Sequence, residues 1–79
     1  MKIEIMGKGC PKCKQLFKLV NATIDEMGMV AENVKVEDMQ AMIDRGAMIT
    51  PALFINGTMV SAGRTPGKDE LKRMITESA

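Results

Sequence analysis

The two cysteines of this 79-residue chain are the side chains best suited to covalent chemistry. Cys10 and Cys13 are separated only by Pro11 and Lys12, so their thiols lie within reach of one another. In thiol–disulfide exchange a thiolate attacks a disulfide sulfur, and a second thiol then resolves the mixed disulfide. This chemistry requires an accessible thiolate, a nearby second thiol and an environment that lowers the pKa of the first thiol. The pair is therefore a candidate redox centre.

A turn from a strand into a helix is predicted to position the two thiols. The alternating segment Lys2–Met6 is typical of a short strand, and Gly7 and Gly9 then permit a tight loop. Pro11 suits the first position of a helix, where its missing N–H has no intrahelical partner to lose. A helix is predicted from there to Met27, because its apolar residues follow the spacing of a single stripe. That stripe comprises Cys13, Leu16, Phe17, Val20, Ile24 and Met27.

The predicted helix gives the two thiols different environments. Cys10 precedes the helix, where free backbone N–H groups and the positive end of the helix dipole stabilise a thiolate. Lys8, Lys12 and Lys14 add positive charge nearby. A decrease in the pKa of such a thiol from about 8.5 to about 7 corresponds to about 2 kcal/mol. Cys13 lies almost one turn further along and continues the apolar stripe. We therefore expect Cys10 to be the attacking nucleophile and Cys13 the buried resolving thiol.

The remaining segments predict a single α/β domain, 1–79, with the element order β-α-β-α-β-β-α. The first helix is followed by a strand (29–36), a short helix (38–45), two strands (52–55 and 58–62) and a last helix (68–77). Asn56-Gly57 is a strong signal for a hairpin between the paired strands. The apolar residues of the short helix are Met39, Met42 and Ile43. A four-stranded mixed sheet with helices on both faces follows from this order.

Charge and composition exclude several classes of function. The chain has 11 basic and 10 acidic residues and no Trp or Tyr, so it lacks the basic, aromatic footprint of a nucleic-acid-binding protein. No apolar run approaches the roughly 20 residues of a membrane span. Because the chain starts with a strand rather than the layout of a signal peptide, we expect a cytoplasmic protein. In a reducing cytosol, a close cysteine pair is expected to be reactive rather than structural.

Three alternatives to redox chemistry remain open from the residues alone. The cysteines could be inert core residues, the dithiol of a binding subunit could be incidental, or the thiolates could carry a soft metal. Zinc requires four ligands and the chain has no His, whereas Cu(I) accepts two thiolates. A ferredoxin-like metal carrier would end in a strand, and 68–77 predicts a helix. Among the nine methionines, those at helical core spacings are expected to fill a thin core rather than bind copper: Met27, Met39, Met42 and Met74.

Four features occur together along the chain: the segment 1–13 with its two cysteines, the segment 49–53 containing Thr50-Pro51, the Asn56-Gly57 turn, and the segment 61–64 containing Gly63. On these features the chain resembles the thioredoxin superfamily, most closely its small archaeal and bacterial redox-active disulfide proteins. The resemblance implies a three-layer α/β/α fold and a protein-disulfide oxidoreductase or electron carrier. It implies no cofactor besides the disulfide and no bound metal. It further implies disulfide-containing protein substrates and a reductase, often a flavoprotein, and we expect a monomer.

The resemblance also implies roles for particular positions. Pro51 matches the family's cis-proline beside the disulfide, which would hold the Thr50 backbone where an extended substrate can pair with it. The alternative is a trans proline that starts an edge strand. Gly63 matches a glycine near the site that lets a partner approach, and its alternative is an ordinary loop glycine. Independently of the resemblance, Pro11, Lys12 and Lys8 are expected to support the site through the helix start and positive charge.

Two positions separate the chain from better-known relatives. Glu4 lies six residues before Cys10, the spacing of thioredoxin's buried Asp, and so could relay a proton for Cys13. We expect instead that Glu4 is a solvent-facing carboxylate on its strand. Arg64 and Thr65 follow Gly63, where glutaredoxins carry an acidic residue that holds glutathione, so the resemblance does not extend to that feature.

Overall fold

A four-stranded mixed sheet, covered by helices on both faces, forms the centre of the computed structural model, which describes residues 1–78. In sheet order the strands run β2-β1-β3-β4, with β1 parallel to β2 and antiparallel to β3, and β3 antiparallel to β4. The elements in chain order are β1 (Lys2–Met6), α1 (Pro11–Met27), β2 (Glu32–Val36), α2 (Met39–Asp44), β3 (Ala52–Ile55), β4 (Thr58–Ala62) and α3 (Lys68–Ser78).

The predicted element order and fold class are confirmed, and the differences in element bounds are local. The second strand begins at Glu32 rather than at residue 29, and Val30 in the preceding connection is 96% exposed. Asp38 and Arg45 cap α2 from outside, and the Asp38 carboxylate accepts a hydrogen bond from the Ala41 N–H at 3.1 Å. Within residues 1–78, no helix has the length and apolar character needed to cross a membrane.

The larger core lies between the sheet and the two long helices. Alternate residues of β1 and β3 point to this face, and the apolar stripes of α1 and α3 cover them. Its fully enclosed side chains include Ile3, Ile5, Leu16, Val20, Leu53, Ile55, Leu71 and Ile75. At the surface, Glu26 of α1 forms ion pairs with Lys68 and Lys72 of α3 at 2.8 and 2.7 Å.

The smaller core lies on the opposite face of the sheet, beneath α2. It contains Met6, Met42, Ala47, Ala52 and Phe54. Because both faces of the sheet are covered, four consecutive residues of the central strand β1, 3–6, are buried.

The expectation that Met39 and Met42 fill the core is confirmed for Met42 and was wrong for Met39. Met42 is 6% exposed, whereas Met39 and Ile43 are 54% and 53% exposed. The helix has only six residues, so one side chain reaches the sheet while its neighbours along the helix remain at the edge.

Candidate redox site

Cys10 caps the N-terminus of α1. Its backbone is extended, with φ −67° and ψ 158°, and Pro11 follows at the first helical position. The Cys13 N–H donates a hydrogen bond to Cys10 Sγ at 3.2 Å, while the Cys10 carbonyl accepts the Lys14 N–H at 3.0 Å. A sulfur at this position therefore receives a free helix N–H, as a capping oxygen ordinarily does. Cys10 remains partly exposed.

Cys13 is the enclosed member of the pair. Its exposed fraction is 6%, and its sulfur is bonded to that of Cys10 across a Cα–Cα distance of 5.1 Å. The contrast between the partly exposed first sulfur and the enclosed second one agrees with the environments expected from the apolar stripe. One turn of helix therefore places both sulfurs at the same end of α1 without unwinding it.

Gly7 provides the space that Cys13 occupies. A Cβ atom at Gly7 would overlap Cys13 Sγ and would lie 3.6 Å from Thr50 Cβ. The sequence prediction assigned this glycine to backbone freedom in the loop, but the loop residue with a positive φ is Gly9, at 64°. Gly7 is therefore required by a close side-chain contact, which no local sequence signal indicates.

The segment before β3 brings a second predicted pair of residues to the dithiol. The Thr50–Pro51 peptide bond is cis, so the alternative of a trans proline does not hold. Thr50 is exposed and Pro51 is buried. The Pro51 carbonyl accepts a hydrogen bond from the Gly63 N–H at 2.9 Å, which places Gly63 beside the same segment.

Gly63 accommodates a side chain of its own chain. It has φ 77°, and a Cβ added there would lie 2.6 Å from Ile49 Cγ2. The space above Gly63, which the resemblance assigned to an approaching partner, is thus filled by Ile49. Ile49 is itself 63% exposed, so it forms part of the surface next to Thr50.

Glu4 is buried, so the expectation of a solvent-facing carboxylate was wrong. It is 8% exposed, and its two carboxylate oxygens accept hydrogen bonds from the Arg45 guanidinium at 3.1 and 3.2 Å. The guanidinium also lies 4.6 Å from the centroid of the Phe54 ring. Since successive strand residues point to opposite faces, Glu4 faces α2 whereas Ile5 faces α1 and Cys13.

An apolar groove of about 370 Å³ opens beside Thr50, and it was not found from the sequence. Its exposed walls are Met39, Ile43 and Met48, and Met48 is 79% exposed. The helical spacing of Met39 and Met42 predicts core positions for both rather than a groove. The run Ala47-Met48-Ile49 immediately before Thr50 was the signal that could have indicated an apolar surface at the site.

The charges around the dithiol are mostly positive. Lys8, Lys12 and Lys14 are all exposed, as expected. One carboxylate, that of Glu37, reaches towards Gly9, where an added Cβ would lie 3.9 Å from Glu37 Oε2. Within residues 1–78, no group of three or more His, Cys, Asp or Glu side chains is arranged to hold a metal ion.

The characteristic sequence pattern of the thioredoxin domain matches residues 1–76. The chain belongs to the thioredoxin family. Among similar proteins, a thioredoxin of Methanothermobacter thermautotrophicus is 33% identical over 76 residues, which cover 96% of this chain and 99% of that protein. A thioredoxin of Methanocaldococcus jannaschii is 36% identical over 73 residues, which cover 92% of this chain and 84% of the relative. A probable thioredoxin of Methanothermobacter marburgensis is 32% identical over 84 residues, covering 98% of this chain and 94% of the relative.

Family membership and geometry together identify the chemistry of the site. The chain is a small thiol–disulfide oxidoreductase, and Cys10 and Cys13 form the disulfide of its C-x-x-C motif. The similarity to the first two relatives extends over nearly the whole chain, so it includes the strand–helix turn and the Thr50-Pro51 segment.

Proposed function

We propose that this oxidoreductase reduces disulfide bonds in protein substrates, with Cys10 as the nucleophile and Cys13 as the resolving thiol. The observation that carries the proposal is the difference between the sulfurs: Cys10 is partly exposed at a helix N-terminus, whereas Cys13 is enclosed. An exposed thiolate is the one that a substrate disulfide can approach.

The reaction has two exchange steps. In the first, the Cys10 thiolate attacks one sulfur of the substrate disulfide, a mixed disulfide forms, and the other substrate sulfur leaves as a thiolate. In the second, the Cys13 thiolate attacks Cys10 Sγ and releases the remaining substrate thiolate. Two electrons pass to the substrate, two protons are taken up by its thiolates, and the enzyme is left with the Cys10–Cys13 disulfide.

The helix N-terminus stabilises the attacking group. The Cys13 N–H already points at Cys10 Sγ, so a thiolate there would accept a charge-assisted hydrogen bond. Lys8 and Lys12 add positive charge in solvent, and Pro11 begins the helix beneath the sulfur. These three residues are proposed to support the thiolate rather than contact the substrate disulfide.

An extended segment of the substrate is proposed to lie along Thr50 and Pro51. Thr50 lies near the dithiol, since a Cβ at Gly7 would overlap Cys13 Sγ and would lie 3.6 Å from Thr50 Cβ. An extended peptide can pair with exposed backbone groups at such a position. The apolar groove beside Thr50 offers a surface for neighbouring substrate side chains. Gly63 acts in this proposal by accommodating Ile49 and by its hydrogen bond to the Pro51 carbonyl.

The proposed catalytic cycle needs an electron donor but no bound cofactor, since the two sulfurs themselves store the electron pair. We propose a flavoprotein reductase as the donor, a monomeric single domain of residues 1–79 as the working unit, and the cytoplasm as the location. No nucleic-acid or membrane partner is part of the proposal.

Substitution of each cysteine tests the assignment. In an insulin-disulfide reduction assay, Cys10→Ser is expected to abolish turnover, and Cys13→Ser is expected to accumulate a mixed disulfide through Cys10. Ala22→Ser, at an exposed position of α1, introduces the same residue away from the dithiol and should retain activity. Turnover by Cys10→Ser at the level of this control would refute the proposal.

A further inference from the structure

Two exposed methionine side chains line the groove beside Thr50. Met39 belongs to α2, Met48 lies in the connection from α2 to β3, and both are more than half exposed. Hydrogen peroxide oxidises thioethers as well as thiolates. In the disulfide form neither cysteine has a free thiol. In that form the thioethers of Met39 and Met48 are therefore the groups at this site that peroxide can reach and oxidise.

Oxidation changes the chemical character of these groove walls. A thioether is apolar and accepts hydrogen bonds only weakly, whereas the sulfoxide that peroxide produces is polar. A polar group that is covered by an apolar surface loses its water and gains no partner, which weakens the contact. An apolar side chain that packs on Met39 and Met48 therefore binds less well once these residues are sulfoxides.

The groove adjoins the dithiol, so its polarity matters for large substrates. Thr50 lines the groove, and it also lies near Cys13, since a Cβ at Gly7 would overlap Cys13 Sγ and would lie 3.6 Å from Thr50 Cβ. Lys8, two residues before Cys10 in the chain, lines the groove as well. A protein whose disulfide reaches Cys10 therefore covers part of the groove, whereas a small disulfide reaches Cys10 without covering it.

The other methionines are less accessible or lie elsewhere. Met42 lines the groove but is buried, as is Met6. Four more are partly buried and pack against the larger core: Met1, Met27, Met29 and Met74. Met59 of β4 is 38% exposed and does not line the groove. Met59 is therefore a matched control, because its thioether is accessible but lies outside the groove.

We infer that Met48 and Met39 are modification sites at which hydrogen peroxide weakens the docking of protein substrates without altering the dithiol. In each modification one oxygen atom passes from the peroxide to the thioether sulfur, which loses two electrons, and the peroxide is reduced to water. A reductant that restores the dithiol leaves the sulfoxide in place, since sulfoxides are reversed by their own class of reductase. This inference rests on the proposed function, because it requires a protein substrate to cover the groove.

Peroxide treatment of the disulfide form, followed by two single-turnover assays, tests the inference. After catalase has removed the peroxide, the protein is reduced with dithiothreitol, desalted, and mixed with either insulin or the small disulfide 4,4′-dithiodipyridine. Peptide mass spectrometry measures the oxidation of each methionine. The rate constant for insulin reduction is expected to fall about tenfold, near the lower end of the loss from an uncompensated buried polar group. The rate constant for 4,4′-dithiodipyridine should be the same before and after treatment.

Substitutions identify which thioethers are responsible. The double variant Met39→Leu/Met48→Leu keeps the groove apolar and has no thioether there to oxidise at the surface, so its treated and untreated samples should reduce insulin equally fast. Met59→Leu should lose activity on treatment as the wild type does. Without peroxide, Met48→Gln places a polar side chain in the groove and should lower the ratio of the insulin rate to the 4,4′-dithiodipyridine rate, whereas Met59→Gln should leave this ratio unchanged.

The outcomes separate this inference from the proposed function. If the untreated protein did not reduce insulin, the proposed function would be wrong and the inference with it. If the untreated protein reduced insulin, three results would overturn the inference alone: Met48 left unoxidised by peroxide, an unchanged insulin rate after its oxidation, or an equal loss in the Met39→Leu/Met48→Leu variant. Equal losses with insulin and 4,4′-dithiodipyridine would also overturn it, because the damage would then lie at the dithiol or in the fold.

Discussion

Gly7→Ala should destabilise the oxidised protein more than the reduced one. The added Cβ would lie 3.4 Å from Cys13 Cβ and 3.6 Å from Thr50 Cβ, which is close to the ordinary separation of about 3.5–4.0 Å between nonbonded carbons. Those two contacts are nearly tolerable, whereas the overlap with Cys13 Sγ is not. The sulfur of Cys13 is therefore the atom that must move.

The redox state decides how easily that sulfur can move. In the disulfide form its position is set by the bond to Cys10, so the backbone of the loop has to shift. In the dithiol form a rotation about the Cα–Cβ bond of Cys13 relieves the overlap. Overpacking of this kind costs about 1–3 kcal/mol, and we expect that range for the disulfide form and a smaller loss for the dithiol form. The reduction potential rises by the difference between the two losses, which is at most about 1–3 kcal/mol and corresponds to at most about 20–60 mV.

Thermal unfolding of both redox forms and a redox titration measure these two effects. The oxidised variant should unfold about 4 °C or more below the oxidised wild type, since 1 kcal/mol corresponds to about 4–8 °C in a domain of this size. Gly67→Ala is the matched control, because a Cβ there meets nothing within 4 Å. Equal losses of stability in the oxidised and reduced forms, or a loss no larger than that of the control, would refute the steric argument.

Three further predictions concern the groove, the ion pair on the helices and the buried carboxylate. Hydrogen peroxide applied to the disulfide form should oxidise Met48 and Met39, which are 79% and 54% exposed, before Met6 and Met42, which are 0% and 6% exposed. Peptide mass spectrometry measures the order of oxidation. Uniform oxidation of the four methionines would contradict the exposure of the groove. Hydrogen bonds from Lys68, the larger contribution, and from Lys72 lower the pKa of Glu26 from 4.5 to about 2. The unfolded state therefore binds a proton at Glu26 more readily than the folded state does. The stability that Glu26 contributes is lost as the pH falls from about 4.5 to about 2. Urea unfolding across this range should show a flatter pH dependence for Glu26→Gln, and an unchanged pH dependence would exclude the ion pairs as its cause. Glu4→Gln leaves the half-buried Arg45 without its charged partner and should lower the free energy of unfolding by about 1–3 kcal/mol. The control Glu77→Gln removes one member of an exposed ion pair and should change the free energy of unfolding by close to nothing. Equal losses for the two variants in urea unfolding would contradict the burial of Glu4.

Local sequence rules were sufficient for the elements that carry the dithiol. The bounds of β1, α1, β3 and β4 agree with those predicted from alternation, helical spacing, Pro11 and the Asn56-Gly57 turn. The N-terminal position of Cys10 and the burial of Cys13 also followed, because both depend on where one helix begins and which way its apolar stripe faces. These properties are determined by residues within one or two helical turns of each other.

The contacts that complete the site depended on the tertiary structure. Whether Glu4 meets water or Arg45 depends on α2 covering the second face of the sheet, some 40 residues away along the chain. In the same way, Gly7 is constrained by Cys13 and Thr50, and Gly63 by Ile49, through contacts that the local pattern does not encode. The exposure of Met39 and Ile43 follows from how little of a six-residue helix reaches the sheet. The sequence thus determined which residues carry the redox chemistry, and packing between distant segments decided the charges and surfaces around them, because burial is a property of the assembled layers rather than of any one element.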